Sequence, residues 1–319
     1  MSNSLNPLQL NFVPQDRPGL FLNARFGGGP EYLLMVDTGS LGINVSREVL
    51  NDVPYRPLPG PLPPAPISYS SSGNTYGGEW VLVSVEIVGH EGQSFTTAKE
   101  IAVFATDQPG VGMMGVSTRF PDPCLLLNPF LNVPGMETGA VRYGYELTKG
   151  YVLFGYDDDE VSTFNLRFPI SPATGQPMPT ATVSLKPANG DEPQPYTNKA
   201  PMLVDTGLFY MIITPATGNV PPAGYEPPPP PPPPPARAHL YDNVLVTLEV
   251  EDEHQQLQTI WEFNTSDCQT NPELPQFVSF ATPSPLGIVN TGVHLLNGYD
   301  YIVDFTANIV GLRKPPRTS

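Results

Sequence analysis

Apolar and polar positions along this chain fall into short runs with the period and composition of β-strands. Val81 to Val88, Asn243 to Val250 and Asn165 to Ile170 carry the β-branched content or the alternation that a half-buried strand requires. A first strand is expected over Leu8 to Val13, and only Ser46 to Asn51 reads as a short helix. Proline and glycine strengthen this picture. With 42 prolines and 29 glycines among 319 residues, the chain is interrupted too often for long helices, because proline removes a backbone donor and clashes with the preceding turn. An all-β fold with frequent turns follows, and the length provides core enough for one large domain or two lobes.

Two of the apolar runs end on an acid. Tyr32-Leu33-Leu34-Met35-Val36 leads into Asp37-Thr38-Gly39-Ser40, and Pro201-Met202-Leu203-Val204 leads into Asp205-Thr206-Gly207-Leu208. Each reads as a buried strand that delivers a carboxylate to its end, where glycine permits a tight turn. A charge in that position is costly unless something holds and uses it. Taken singly, either segment is an ordinary turn after a strand. The two copies, however, lie 168 residues apart along one chain. A repeat on that scale suggests two carboxylates meeting across a pseudo-twofold axis, an acid and a base together.

On these motifs the chain resembles the pepsin-like, two-lobed aspartic peptidases. In that family each lobe supplies an Asp-Thr-Gly loop and a hydrophobic-hydrophobic-Gly segment that braces it; the resemblance assigns the braces to Met113-Met114-Gly115, whose glycine is 78 residues past Asp37, and Asn290-Thr291-Gly292, whose glycine is 87 past Asp205. Gly150 to Asp157 is similar to the segment closing the family's first lobe, Cys268 to Pro275 to a stretch of the second, and Tyr299 to Phe305 with Ile309 to Leu312 to its last strands. The resemblance implies an all-β, bilobal fold with an active-site cleft between lobes. The N-terminal lobe would span 1–160 and the C-terminal lobe 161–319, with Val161 to Ser171 as the crossover strand.

Asp37 and Asp205 would then be catalytic. Two adjoining carboxylates titrate as a unit, so one is ionised and takes a proton from water while the other donates to the oxyanion and then to the leaving nitrogen. Thr38 and Thr206 would bond the opposite loop, Gly39 and Gly207 would present N–H groups to the carboxylates, and Ser40 would donate to Asp37. Ile67 to Trp80 resembles the flap hairpin, with Gly73 in its Ser/Gly/Asn tip. Tyr69 takes the role of flap tyrosine, with Tyr76 its rival, and Leu208 and Phe209 would contact substrate.

Three positions depart from the family pattern. Leu208, followed by Phe209 and Tyr210, stands where relatives carry Ser or Thr. Asn44 stands where a tryptophan usually bonds the flap tyrosine, and Asn290-Thr291 makes the second brace polar. Three functions are therefore open: an endopeptidase; a repurposed enzyme performing acid/base chemistry, such as cyclisation or isomerisation, on a biosynthetic small molecule; or a peptide-binding protein without turnover. Retention of both Asp-Thr-Gly triplets argues against the last. The cleft would accept a polypeptide or small-molecule substrate, with apolar side chains preferred beside the scissile bond.

A net charge of −16 opposes nucleic acid and anionic membrane as partners. No apolar run approaches the ~18 residues of a spanning helix, and the start has no signal pattern. A cytoplasmic monomer is expected as the sequence stands, and a secreted protein if the chain was trimmed. Cys124 and Cys268 fall in different lobes, so both should be free thiols in a reducing compartment. These cysteines and His90, His239, His254 and His294 show no ligand spacing, and no nucleotide fingerprint occurs, so neither metal nor cofactor is expected. The nine prolines Pro227 to Pro235 would form a polyproline II strut of about 28 Å in a solvent-exposed loop, and Pro54 to Pro66 another surface loop.

Overall fold

The structure is a computed structural model that describes residues 7–58, 67–69, 74–117, 126–170, 178–187, 194–222, 224–225, 239–240, 242–252 and 254–315. Gly73, Cys124, Pro227 to Pro235 and most of the Pro54 to Pro66 segment lie outside the described residues. The chain divides into two compact units, the first made of Met1–Asn165, Pro169–Pro177 and Tyr299–Ser319, the second of Leu166–Phe168 and Met178–Gly298.

The first unit is built on a nine-stranded sheet. At its centre the strand Gly112–Val116 runs parallel to Glu31–Asp37 on one side and antiparallel to Leu41–Ser46 on the other. The two strands that the Asp-Thr-Gly turn connects are therefore not neighbours, because a third strand lies between them. Only glycine fits one step of this packing: a Cβ on Gly115 would lie 2.6 Å from the carbonyl oxygen of Gly42. Ile101–Thr106 is buried along its whole length, which explains why its sequence is apolar from Ile101 to Ala105.

The second unit repeats the arrangement in a seven-stranded sheet. Here Ile288–Asn290 inserts parallel to Tyr196–Leu203 and antiparallel to Met211–Thr214. Val244–Glu251 alternates buried and half-buried positions strictly, the pattern of a strand with one face on the core.

Two segments differ from the sequence reading. Tyr299–Ser319 belongs to the first unit, not to a second lobe running to the C-terminus. The reason is pairing: Asp300–Asp304 lies antiparallel to Gly144–Leu147 and then to Ile309–Arg313, in the sheet that also holds Leu8–Asn11. Val161, expected at the start of a strand, lies in the short helix Asp158–Ser162. Asp157 caps that helix by accepting the Glu160 N–H at 2.9 Å, and three acids in its first turn suit the positive end of the helix dipole, so the strand begins only at Leu166.

Candidate active site

Asp37 ends the strand Glu31–Asp37 and is 4% exposed. Its Oδ1 accepts the Gly39 N–H at 2.7 Å. The next residues are held by the inserted strand: Gly115 pairs with Asp37 in register, and the Ser117 N–H donates to the Ser40 carbonyl at 2.9 Å. Ser40 Oγ lies 3.4 Å from Met113 Sδ. Thr38 is buried beneath the turn.

The hairpin Ile67–Ser68 with Thr75–Tyr76 presents two tyrosines, packed edge to face with ring centroids 5.6 Å apart. Tyr69 is the one whose hydroxyl reaches inward. Asn44 Nδ2 donates to Tyr69 Oη at 3.2 Å, so the residue standing where a tryptophan was expected makes the same kind of bond from a shorter side chain. Burial first, and after it the nearby Asp37 carboxylate and Tyr76, push the Tyr69 hydroxyl up to about 12, against hydrogen bonds with Asn44 and Ser40 that pull it down. Tyr69 is thus a protonated donor beside Asp37 and Ser40 at any ordinary pH.

Asp205 lies two residues beyond the strand Tyr196–Leu203 and is 6% exposed. The turn closes through the Leu208 N–H to the Asp205 carbonyl at 3.2 Å, and the Gly207 N–H reaches Asp205 Oδ1 at 3.1 Å. Thr206 is fully buried, Leu208 is 8% exposed, and Phe209 is half-buried. The brace holds this loop by backbone bonds, Thr291 N–H to Leu203 oxygen at 2.9 Å and Val293 N–H to Leu208 oxygen at 2.8 Å.

The polarity of this brace has a structural use. Asn290 Nδ2 donates to Asp205 Oδ2 at 2.6 Å, a short bond in a buried setting. From the sequence Asn290 reads as part of a brace and not as a partner of the aspartate; the signal for the contact is an amide at a position that is apolar in the first unit. Beyond the loop, Tyr210 stacks on Phe277 at 4.4 Å and Phe277 on His239 at 3.7 Å, and burial lowers the basicity of His239.

Among the described residues, no helix is long and apolar enough to cross a membrane, and no group of three His, Cys, Asp or Glu could hold a metal ion. Cys268 is a buried free thiol.

No family model and no curated protein matches the sequence. Solved structures match over almost the full chain. An aspartic proteinase from Irpex lacteus aligns with a TM-score of 0.62 at 14% identity, covering 98% of this chain and 98% of that one. Basic 7S globulin from soybean aligns with a TM-score of 0.57 at 11% identity, covering 97% of this chain and 95% of that one. At such identities the likeness is one of fold: the chain has the nearly all-β, bilobal fold of pepsin-like aspartic proteinases.

Proposed function

We propose that this chain is an aspartic endopeptidase in which Asp37 and Asp205 act as one water-activating dyad. The observation that supports this reading is duplication of a costly construction. Both units bury a carboxylate at the end of a strand, supply an N–H from the residue two positions on, and brace the loop with an inserted strand in the same register. Burying two carboxylates for stability alone would be wasteful, since each carries a desolvation penalty that an apolar residue would avoid.

In the proposed reaction the ionised aspartate takes a proton from water, the water oxygen attacks the peptide carbonyl, and the protonated aspartate donates to the developing oxyanion. The proton taken from water then passes to the leaving nitrogen, so no covalent enzyme intermediate forms. Tyr69, held by Asn44, adds a donor that does not ionise. Tyr69, Tyr76 and Phe209 favour apolar side chains flanking the scissile bond.

Fold alone does not assign a reaction, and the two structural relatives are a proteinase and a globulin. The unlike surroundings of Asp37 and Asp205, with the side-chain amide of Asn290 bonded to the second, favour a second reading, acid/base chemistry on a non-peptide small molecule. Incubation with a denatured protein across the acid range, with and without a statine-type inhibitor, separates them. Inhibitor-sensitive cleavage supports the endopeptidase. Neither cleavage nor peptide binding would favour the second reading, and binding without cleavage would favour a peptide-binding protein.

A further inference from the structure

Because both units mount the aspartate loop on the same three strands, each position in one loop has a counterpart in the other. Two residues before the aspartate, Met35 pairs with Met113 in the first unit and Leu203 pairs with Asn290 in the second. Across the inserted strand, seven residues after the aspartate, Asn44 faces Met113 and Ile212 faces Asn290. Each unit therefore places one amide and one apolar side chain in this cross-strand pair, but on opposite strands. The residue immediately after each Asp-Thr-Gly differs as well: Ser40 in the first unit, Leu208 in the second.

The amides face different partners. Asn44 bonds the tyrosine hydroxyl of the hairpin, whereas Asn290 bonds the carboxylate itself. Asn290 is locked in that orientation, because its Oδ1 accepts the Gly292 N–H at 3.1 Å and so turns the NH₂ toward Asp205. Gly292 can make this approach only as glycine: its φ is +68°, and a Cβ there would lie 2.7 Å from the Tyr210 carbonyl oxygen.

We propose that Asn290 is the positioning residue of Asp205, supplying from the inserted strand the side-chain hydrogen bond that Leu208 cannot give. The amide has protons to donate and none to accept at Nδ2, so it favours the carboxylate at Asp205 Oδ2 over the acid. That favours Asp205 as the base of the pair. This chemical consequence rests on the dyad reading; the orienting contact does not.

The test uses the full chain labelled with ¹³C at aspartate carboxyls, the Asp205 signal being identified by its loss in Asp205→Asn. Asn290→Met installs the residue that the first unit carries at this position, and Asn290→Ala is read in the same way should the methionine variant not fold. The midpoint of the Asp205 titration is expected to rise by about one to two pH units in the variant, the worth of a hydrogen bond to a charged group. An unchanged or lower midpoint in a folded variant would overturn the proposal. Where the wild type cleaves peptide, the variant is expected to lose about ten- to a hundredfold in kcat with KM little altered, and the acid limb of its pH profile should move upward with the titration. A fall in kcat with an unmoved acid limb would reduce Asn290 to a structural part and sink the proposal. A raised midpoint in a chain that never cleaves peptide would uphold the contact and count against the endopeptidase reading alone.

Discussion

Replacing Glu146 by Gln should change how stability depends on pH. Glu146 is 0% exposed and lies in the first unit, where one guanidinium serves three carboxylates. Arg313 Nη2 donates to Glu146 Oε1 at 2.8 Å and to Asp300 Oδ2 at 2.8 Å, and its Nη1 bonds Glu160. One positive charge cannot offset three buried or half-buried negative ones, so a proton is retained. Burial above all, together with Glu160 and Asp300 and against Arg313, pushes Glu146 up to about 7 from an ordinary 4.5.

The folded state therefore holds this proton more tightly than the unfolded chain does. Stability from Glu146 is complete below about 4.5 and is lost as pH rises through about 7. That interval, at about 1.4 kcal/mol for each pH unit, amounts to about 3 kcal/mol. Burial raises Asp300 in the same direction, so it adds to the slope without reversing it. Glu146→Gln keeps the shape and an acceptor for Arg313 but has nothing to titrate. Urea unfolding of both proteins, followed at steps from about pH 4 to about pH 8, should show similar midpoints at the acid end and a variant that gains on the wild type as pH rises. The difference between the two curves isolates Glu146 from the other carboxylates. A constant difference across the range, or a variant that falls behind the wild type as pH rises, would refute the reasoning.

Three further outcomes are expected. Asp37→Asn and Asp205→Asn should each abolish turnover while the melting temperature stays near that of the wild type, since Asn keeps the volume but cannot exchange a proton; a substantial residual rate would remove that aspartate from the mechanism. Cys268, buried and with its thiol pushed up to about 11 by burial and then by Asp267 and Asp242, should react with a thiol reagent only after denaturation, so rapid labelling of the native protein at this residue would count against its placement. Gly115→Ala should destabilise the first unit by about 1 to 3 kcal/mol, because the new Cβ meets the Gly42 backbone rather than a side chain that could swing away; a melting temperature equal to the wild type would contradict the close approach.

Much of the fold was legible because its strands announce themselves locally. Val244–Glu251 alternates as its sequence does, and Leu8–Asn11 begins where expected. Val81 to Val88 contains the break at Ser84 that separates Gly78–Val83 from Val85–Val88, which composition alone did not reveal. The helix read over Ser46 to Asn51 is a single 3₁₀ turn, Arg47–Leu50, too short for a periodic signal to fix its type. The repeated triplets and their braces located the two loops. What local pattern could not provide was pairing between segments far apart in sequence. The placement of Tyr299–Ser319 depends on Asp300–Asp304 meeting Gly144–Leu147, and nothing in either segment specifies the other.

The same limit explains why Leu208 and Asn290 read as two unrelated departures. Judged alone, Leu208 removes a hydroxyl beside a buried carboxylate, and Asn290 puts an amide into a brace that is otherwise apolar; each is a local fault. A buried carboxylate, however, does not require a particular neighbour, only enough donors of suitable geometry from any strand within reach. Once Ile288–Asn290 is inserted beside Tyr196–Leu203, the amide lies 2.6 Å from Asp205 Oδ2 and the two departures answer one demand. The first unit meets its own demands by other means, with Ser40 after the triplet, Met113 on the inserted strand and the amide moved to Asn44, where it secures Tyr69. A site that had merely decayed would be expected to accumulate losses without matching gains. Here the hydroxyl missing at Leu208 is accompanied by an amide donor on the inserted strand that reaches the same carboxylate, the pattern that the proposed dyad calls for.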